Sequence, residues 1–334
     1  MIDLHRHLLG SLRIETAFKL ARKYSVLSNA TKKAEFEKLL VHRTKITSLS
    51  AYIKPWELIR QIIRNVEDIQ LIAYQAALDA HHEGLYYVEF RNTPPGLIKK
   101  KSSFTGHQLL LNTEDYLNAI KNGFDHAFKE CGIVAKINLS IQRHLVYHLS
   151  RKDKINLSER YVELYNTYKK ELVVGVDLTG IELSYPVRKF EPIFEILGEN
   201  NINATIHTGE TESYHQVRNC IRLLKPKRIA HGLAVAKSKN LMQEIKDLGI
   251  AIEMCPTSNL LISSYSKINQ HPLFRNLNEG SIDILICTDN PTILNTNLEK
   301  ELEICCDALK INSLDFRKSQ HDLCLKHSFY NKIL

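Results

Sequence analysis

Histidines and acids stand at the ends of several short apolar segments of this chain, and these residue types bind metals and move protons. His5 and His7 are two residues apart, so an extended strand would direct both imidazoles to one face, where they can chelate a divalent ion. Polar residues of the same kind follow later apolar runs: His207, Glu210, His231, Asp289 and Asn290. Any one of them alone is more often structural, but their repeated position predicts one shared site.

The nitrogen and oxygen ligands in this set, with no thiolate among them, favour Zn²⁺ that keeps a water molecule. The metal lowers the pKa of that water and supplies a nucleophile for hydrolysis near neutral pH. Glu210 lies three residues beyond His207 and is free to transfer protons instead of binding the ion. These residues predict a zinc-dependent hydrolytic enzyme with one ion per chain.

Eight short segments rich in Val, Ile and Leu alternate with amphipathic stretches, which is typical of a parallel sheet. We predict an α/β fold, a closed TIM-like (β/α)₈ barrel in which the carboxyl ends of the strands assemble the active site. An open doubly wound sheet is the alternative, but no Gly-x-Gly-x-x-Gly follows a strand candidate. The predicted strands are residues 2–7, 85–90, 134–141, 172–178, 204–207, 228–231, 250–254 and 282–287.

Helical periodicity fills the segments between the predicted strands. Residues 28–56, between a first helix and a second helical pattern beginning near Glu57, form a helical excursion after strand 1 that we expect to pack over one end of the barrel. No Pro/Gly/Ser-rich linker interrupts the chain, so residues 1–334 are predicted to form a single domain. The predicted helices include residues 66–81, 113–130, 157–170, 190–200 and 241–248.

The 334-residue chain carries 45 Lys and Arg against 37 Asp and Glu, a net charge of +8. Its basic residues are scattered, with short runs at 99–101 and 225–228, and this distribution argues against nucleic acid as a partner. The seven cysteines include no Cys-x-x-Cys pair and suit free thiols in a reducing compartment. Without a membrane-spanning run or a signal-peptide pattern, we expect a cytoplasmic protein with no membrane partner; the oligomeric state is not indicated.

Seven blocks of the sequence resemble the adenosine deaminase family of zinc aminohydrolases. They occur in the family's order from residue 3 to residue 291, so the likeness covers essentially the whole chain. Each block alone is weak, whereas the ordered set is highly specific. The blocks are Asp3-Leu-His-Arg-His-Leu-Leu-Gly-Ser11, Val88-Glu-Phe-Arg91, Val174-Gly-Val-Asp-Leu-Thr-Gly180, His207-Thr-Gly-Glu210, His231-Gly232, Glu253-Met-Cys-Pro-Thr-Ser258 and Thr288-Asp-Asn-Pro291.

The resemblance implies hydrolytic deamination of a small-molecule purine substrate that carries a 6-amino group. Glu210 matches the family's acid that protonates purine N1, and His231 matches the histidine that orients the attacking water and stabilises the oxyanion. Gly180 matches a backbone N–H donor to purine N3. The family's zinc ligands, of which the last also belongs to the catalytic group, fall on His5, His7, His207 and Asp289.

Two positions depart from the family pattern. The acid that holds the ribose 5′-hydroxyl is replaced by Leu9, and the second acid of Asp-Asp-Pro, which contacts purine N7, is replaced by Asn290. An amide still donates a hydrogen bond to N7. On an extended chain Leu9 points to the same side as His7, so we expect both to line the substrate pocket and the substrate to differ from plain adenosine.

Two alternatives stay open. One is a zinc hydrolase of another amino-heterocycle, cyclic amide or phosphoester, although no strand-end Lys is evident for the bridging carbamate of a two-metal site. The other is a catalytically silent purine-binding protein, although Glu210 and all the candidate ligands are present. The zinc deaminases of nucleic acids are excluded, because the chain lacks His-x-Glu followed by Pro-Cys-x-x-Cys.

Overall fold

Eight parallel strands form a nearly closed barrel in the computed structural model, which describes residues 1–28, 30–97, 111–210, 213–262 and 265–330. Each strand pairs with the next in sequence order, and a bridge between Arg6 and Asp289 joins the last segment to the first. The prediction of a (β/α)₈ barrel is confirmed. The strands are β1 Ile2–His7, β2 Tyr87–Asn92, β3 Val134–Gln142, β4 Val173–Thr179, β5 Ala204–Thr208, β6 Arg228–His231, β7 Ala251–Met254 and β8 Ile284–Ile286.

Helices surround the barrel, and side-chain caps begin many of them. Ser150 accepts a hydrogen bond from the Asp153 N–H, so one helix begins at residue 151, six residues before the predicted start. The helices are α1 Ile14–Lys23, α2 Lys33–Leu40, α3 Leu49–Ile62, α4 Val66–His82, α5 Thr113–Cys131, α6 Arg143–Val146, α7 Arg151–Tyr168, α8 Glu191–Glu199, α9 Tyr214–Leu224, α10 Lys239–Asp247, α11 Pro256–Ile262, α12 Phe274–Glu279, α13 Leu298–Leu309 and α14 Ser313–His327, with 3₁₀ turns at Leu9–Ser11, Val187–Phe190, Leu233–Lys237 and Ile268–Gln270.

The two faces of the strands differ in character. In β2, Val88 and Phe90 belong to the large apolar cluster, whereas Glu89 and Arg91 are fully buried among charged partners from other strands. The alternation places apolar side chains on one face and an ion-paired network on the other. The barrel therefore holds its catalytic candidates on a polar interior, with its apolar packing outside.

The last described residues close the end of the barrel opposite the predicted site. Arg228, at the start of β6, pairs with Glu89 at 2.5 Å, and its guanidinium lies 3.6 Å from the centre of the Phe329 ring. The Phe329 N–H donates to Glu89 Oε1 at 2.8 Å, and Lys136 lies over the Tyr330 ring. We call residues 328–330 the C-terminal plug.

The excursion after β1 packs over the carboxyl end of the barrel, as the sequence predicts. The His42 N–H donates to the Ile293 carbonyl at 2.7 Å, and the Ile46 N–H donates to the Leu261 carbonyl at 2.9 Å. Its second helix, α3, begins at Leu49, well before the predicted start near Glu57, and contains Pro55. A proline disfavours a helix interior and so obscured this helix in the sequence.

Several sequence expectations concern the surface and the thiols. All seven cysteines lie in the described part of the chain, where they are free thiols. The basic run at 99–101 lies outside the described residues, and the run at 225–228 includes Arg228, which is fully buried. Within the described ranges, no helix combines the length and apolar character needed to cross a membrane.

Candidate active site

Three predicted metal ligands meet at the carboxyl ends of the barrel strands. The ring centres of His5 and His7 are 5.5 Å apart, and that of His207 lies 4.9 Å from His5 and 5.4 Å from His7. One nitrogen of each ring lies within 4.8 Å of the others, and a second such group joins His5 to His231 and Asp289. This spacing leaves room for one ion among nitrogen and oxygen ligands.

Carboxylates behind the cluster orient two of the imidazoles. His207 Nδ1 lies 3.0 Å from Asp177 Oδ1, and His5 Nδ1 lies 3.2 Å from Glu253 Oε2. With Nδ1–H donated in each ring, Nε2 is left as the lone-pair nitrogen that faces the cluster. His5 Nε2 is buried and has no hydrogen-bond partner among the described residues, an arrangement that fits a bound cation.

Asp289 completes the ligand set after β8. Its Oδ1 lies 3.5 Å from His5 Nε2 and 3.3 Å from His7 Nε2, while Oδ2 accepts a hydrogen bond from Ser258 at 2.6 Å. Its φ of +65° is a strained backbone conformation that turns the side chain inward. Although burial opposes ionisation, the two histidines hold the pKa of Asp289 well below its usual range.

Arg91 ties the two orienting carboxylates together inside the barrel. One guanidinium nitrogen donates to Asp177 at 3.3 Å, and the other pairs with Glu253 and donates to Thr205 at 3.1 Å. Although burial opposes ionisation, the pKa of each carboxyl is held below its ordinary value, by the His207 ring and Arg91 for Asp177 and by Arg91 and Arg228 for Glu253. Both carboxylates therefore stay charged and accept from the histidine rings.

Glu210 is held close to the cluster by a tight turn. Glu182 accepts hydrogen bonds from the Thr208 hydroxyl at 2.7 Å and from the Gly209 N–H at 2.8 Å, which fixes the residues immediately before Glu210. Burial, together with the Asp289 and Glu182 carboxylates, raises the pKa of Glu210 to about 8. The carboxyl of Glu210 is thus able to hold a proton near neutral pH.

His231 lies at the end of β6, with Nε2 3.8 Å from Glu210 Oε1. Burial lowers the pKa of His231 well below its usual value, so its ring is neutral. Its Nδ1 lies 3.1 Å from the side-chain amide nitrogen of Asn259. Its backbone φ of +65° is again the strained conformation seen at Asp289.

Helix α3 covers the mouth of the site. The Trp56 ring lies 6.0 Å from the His7 ring, edge to face. Burial, with the nearby Asp289 and Glu210 carboxylates, raises the pKa of Tyr52 well above its usual value. The two aromatic side chains are four residues apart on one helix face and restrict access of bulk water.

Leu9, Gly180 and Asn290 are the residues for which the sequence predicts contacts to the substrate. The prediction that Leu9 lies on an extended chain with His7 is wrong, because β1 ends at His7 and Leu9 begins a 3₁₀ turn after a helical residue. Gly180 follows β4 with a φ of +97°, which glycine tolerates and a larger residue does not. Asn290 donates its amide to Asp289 at 2.6 Å, and its Oδ1 is buried without a hydrogen-bond partner among the described residues.

Four residues that orient the predicted groups were not singled out from the sequence. For Asp177 and Glu253 the signal is an acid inside an otherwise apolar strand, as in Val-Gly-Val-Asp-Leu, whereas Ser258 and Asn259 lie on α11 and carry no such signal. Burying an acid without a partner is costly, so such an acid marks a paired site. These residues are Asp177, Glu253, Ser258 and Asn259.

The chain is similar over nearly its whole length to proteins of one family. The family model described as "Adenosine deaminase" matches residues 1–332. The chain is 29% identical to an adenosine deaminase of Clostridium perfringens over 317 residues, which is 95% of this chain and 90% of that protein.

Two solved structures share the fold. One is an amidohydrolase from Burkholderia ambifaria with bound Zn, with a TM-score of 0.82, 20% identity and coverage of 99% of this chain and 86% of that chain. The other is an N6-methyl-AMP deaminase from Arabidopsis thaliana, with a TM-score of 0.81, 23% identity and coverage of 99% and 92%. By the match over its whole length, the chain belongs to the adenosine deaminase family, a family of hydrolytic deaminases.

Proposed function

We propose that this chain hydrolyses the 6-amino group of a purine compound, with release of ammonia, using one zinc ion. The observation that carries the proposal is the fully buried Nε2 of His5, which has no hydrogen-bond partner in the described part of the chain and lies in a cluster of nitrogen and oxygen ligands. The ligands would be the residues expected from the sequence: His5, His7, His207 and Asp289.

The donor set supports zinc in particular. Imidazole nitrogens with a carboxylate oxygen suit Zn²⁺, and a ligand set of this size leaves a position for water. The relative from Burkholderia ambifaria that shares the fold carries Zn. When bound, zinc would lower the pKa of a water molecule and polarise it for attack.

The side chains around the cluster supply the proton transfers. Glu210, whose carboxyl is partly buried beside the ligands, would donate a proton to a ring nitrogen and make the adjacent amino-bearing carbon electrophilic. His231 would hold the attacking oxygen through Nε2 and stabilise the negative charge that develops on it. Asp289, which already contacts two histidines, would fix the position of that oxygen from the other side.

The substrate pocket would be built from residues on several strand ends. Gly180 would donate its backbone N–H to N3, and Asn290 would face N7 after its amide turns away from Asp289. Leu9 and His7 would line the side where the sugar lies. With Leu9 in place of an acid, the pocket lacks the negative charge that would repel a 5′-phosphate, and the Arabidopsis thaliana protein of the same fold is a deaminase of a nucleotide.

Ammonia release from adenine, adenosine, AMP, their deoxy forms and N6-methylated forms tests the proposal, with zinc measured on the same sample. We expect ammonia, or methylamine from the methylated compounds, from at least one purine and about one zinc per chain. The matched control is His207→Ala, which should lose both metal and activity. If no purine is turned over by the zinc-loaded protein, or if the variant keeps its full complement of zinc, the proposal is wrong.

The cytoplasmic location, the single-domain organisation and the absence of a nucleic-acid partner stay predictions. Free thiols at all seven cysteines support a reducing compartment.

A further inference from the structure

A row of buried side chains runs behind His231, away from the substrate pocket. His271 precedes α12, and Asn259 lies on α11 between the two histidines. The exposed fractions are 3% for His271, 1% for Asn259 and 2% for His231. The row connects a backbone donor to the ring nitrogen of a catalytic candidate.

The backbone fixes the direction of every hydrogen bond in this row. The Leu273 N–H donates to His271 Nδ1 at 3.2 Å, so that nitrogen carries no proton. Burial lowers the pKa of His271 to about 4, so the ring is neutral and its single proton lies on Nε2. This Nε2–H donates to Asn259 Oδ1 at 3.2 Å. The amide nitrogen of Asn259 is left to face His231 Nδ1 at 3.1 Å.

The Leu273 N–H group, which donates to His271 Nδ1, also excludes the opposite orientation of the Asn259 amide. A flipped amide would turn its N–H group towards His271 Nε2, which would then have to accept. His271 would accept on both nitrogens and carry no proton on either, which a neutral imidazole cannot do. Because an amide nitrogen only donates, His231 Nδ1 accepts, and the proton of the neutral His231 ring lies on Nε2.

We propose that His271 and Asn259 are positioning residues that hold His231 as the neutral Nε2–H tautomer, so that it presents a hydrogen-bond donor to the oxygen forming at the reacting carbon. The inference rests on the function proposed above and explains why this histidine stabilises an oxyanion instead of acting as a base. The Nε2 atom points the right way, since it lies 3.8 Å from Glu210 Oε1.

Asn259→Asp is the sharpest test, because a carboxylate of nearly the same shape only accepts. It would accept from His231 Nδ1–H and move the ring proton away from Nε2. At alkaline pH, where the His231 ring of the variant is neutral, we expect kcat of Asn259→Asp to be about 10²–10³-fold below that of the wild type, as for the loss of one oxyanion donor. We expect KM and bound zinc to stay near the wild-type values. Asn276→Asp is the matched control, since Asn276 is also a buried amide but bonds to Ser281 and Met242.

The tautomer itself is read by one-bond ¹⁵N–¹H couplings of labelled protein, both metal-free and zinc-loaded, with His231→Gln assigning the signal. The proton should lie on Nε2 in the wild type and in Asn276→Asp, and on Nδ1 in Asn259→Asp. A proton on Nδ1 in the wild type, or a kcat for Asn259→Asp within about threefold of the wild type, overturns the proposal.

A second pair of variants keeps the test valid if Asn259→Asp fails to fold. His271→Leu removes the partner that orients the amide, whereas His271→Gln restores an N–H donor to Asn259. We expect kcat to fall in His271→Leu and to recover in His271→Gln; equal kcat values for the two overturn the proposal. If the wild type deaminates no purine, the proposed function fails, and the couplings still decide the tautomer.

Discussion

Asp177→Asn should weaken zinc binding without abolishing the fold. The carboxylate accepts from His207 Nδ1 at 3.0 Å, from Arg91 at 3.3 Å and from the Ser140 hydroxyl at 3.3 Å. An asparagine oxygen in the place of Oδ1 can keep the bonds from His207 and Arg91, and the amide N–H group can donate to the Ser140 hydroxyl, but the negative charge is lost. His207 then loses the charged acceptor that holds its ring and makes its Nε2 a better ligand. Loss of such a partner typically lowers metal affinity by about 10–100-fold, which corresponds to about 1.4–2.8 kcal/mol.

Zinc dissociation constants, measured on the metal-free protein by competition with a chromophoric chelator, check this expectation. At saturating zinc, we expect kcat of Asp177→Asn to recover most of the wild-type value, since the ligands themselves are intact. Ser140→Ala is the control, because it removes only the longer hydroxyl contact and should leave the dissociation constant unchanged. An Asp177→Asn affinity within about threefold of the wild type would refute the argument that this carboxylate orients His207.

Three further variants test other parts of the structure. Glu210→Gln keeps the shape of the side chain but cannot deliver a proton, so we expect zinc to be retained and turnover to fall at least about 100-fold in steady-state kinetics; near-normal kcat would assign the proton to another group. Leu9→Asp should raise the kcat/KM of adenosine relative to that of the best native substrate, by a factor that corresponds to about 1–3 kcal/mol of activation free energy; an unchanged ratio would mean that Leu9 does not contribute to sugar recognition. Gly123→Ala places a Cβ 2.5 Å from the Gln70 carbonyl oxygen, where α4 packs on α5, and should cost about 1–3 kcal/mol in urea unfolding without changing KM.

The strand ends could be predicted from sequence because apolar runs and the residues that follow them are local signals. His207, His231 and Asp289 each lie where a short apolar run stops, and the parallel order of the strands brings those stops together. The same reasoning failed for Leu9, since the direction of its side chain depends on where β1 ends and the backbone turns. Strand periodicity predicts a side chain only as far as the strand continues.

The orienting network could not be predicted because its members are distant along the chain. Arg91 and Glu253 are 162 residues apart, and they meet only when β2 and β7 face each other across the barrel. Similarly, the roles of Asn259 and His271 depend on which nitrogen a backbone N–H from residue 273 reaches. Contacts of this kind follow from the closed fold and leave no spacing rule in the sequence.

The C-terminal plug has a consequence for how the chain acquires its structure during synthesis. A ribosome releases β1 early, yet the charged interior that β1 joins is sealed only when Phe329 stacks on Arg228 and donates to Glu89. Until then, water reaches these ions from the amino-terminal mouth of the barrel, and their attraction is weakened by its high dielectric constant. The nascent barrel therefore stays labile until residues 328–330 have emerged, and we expect it to depend on chaperone protection through that interval.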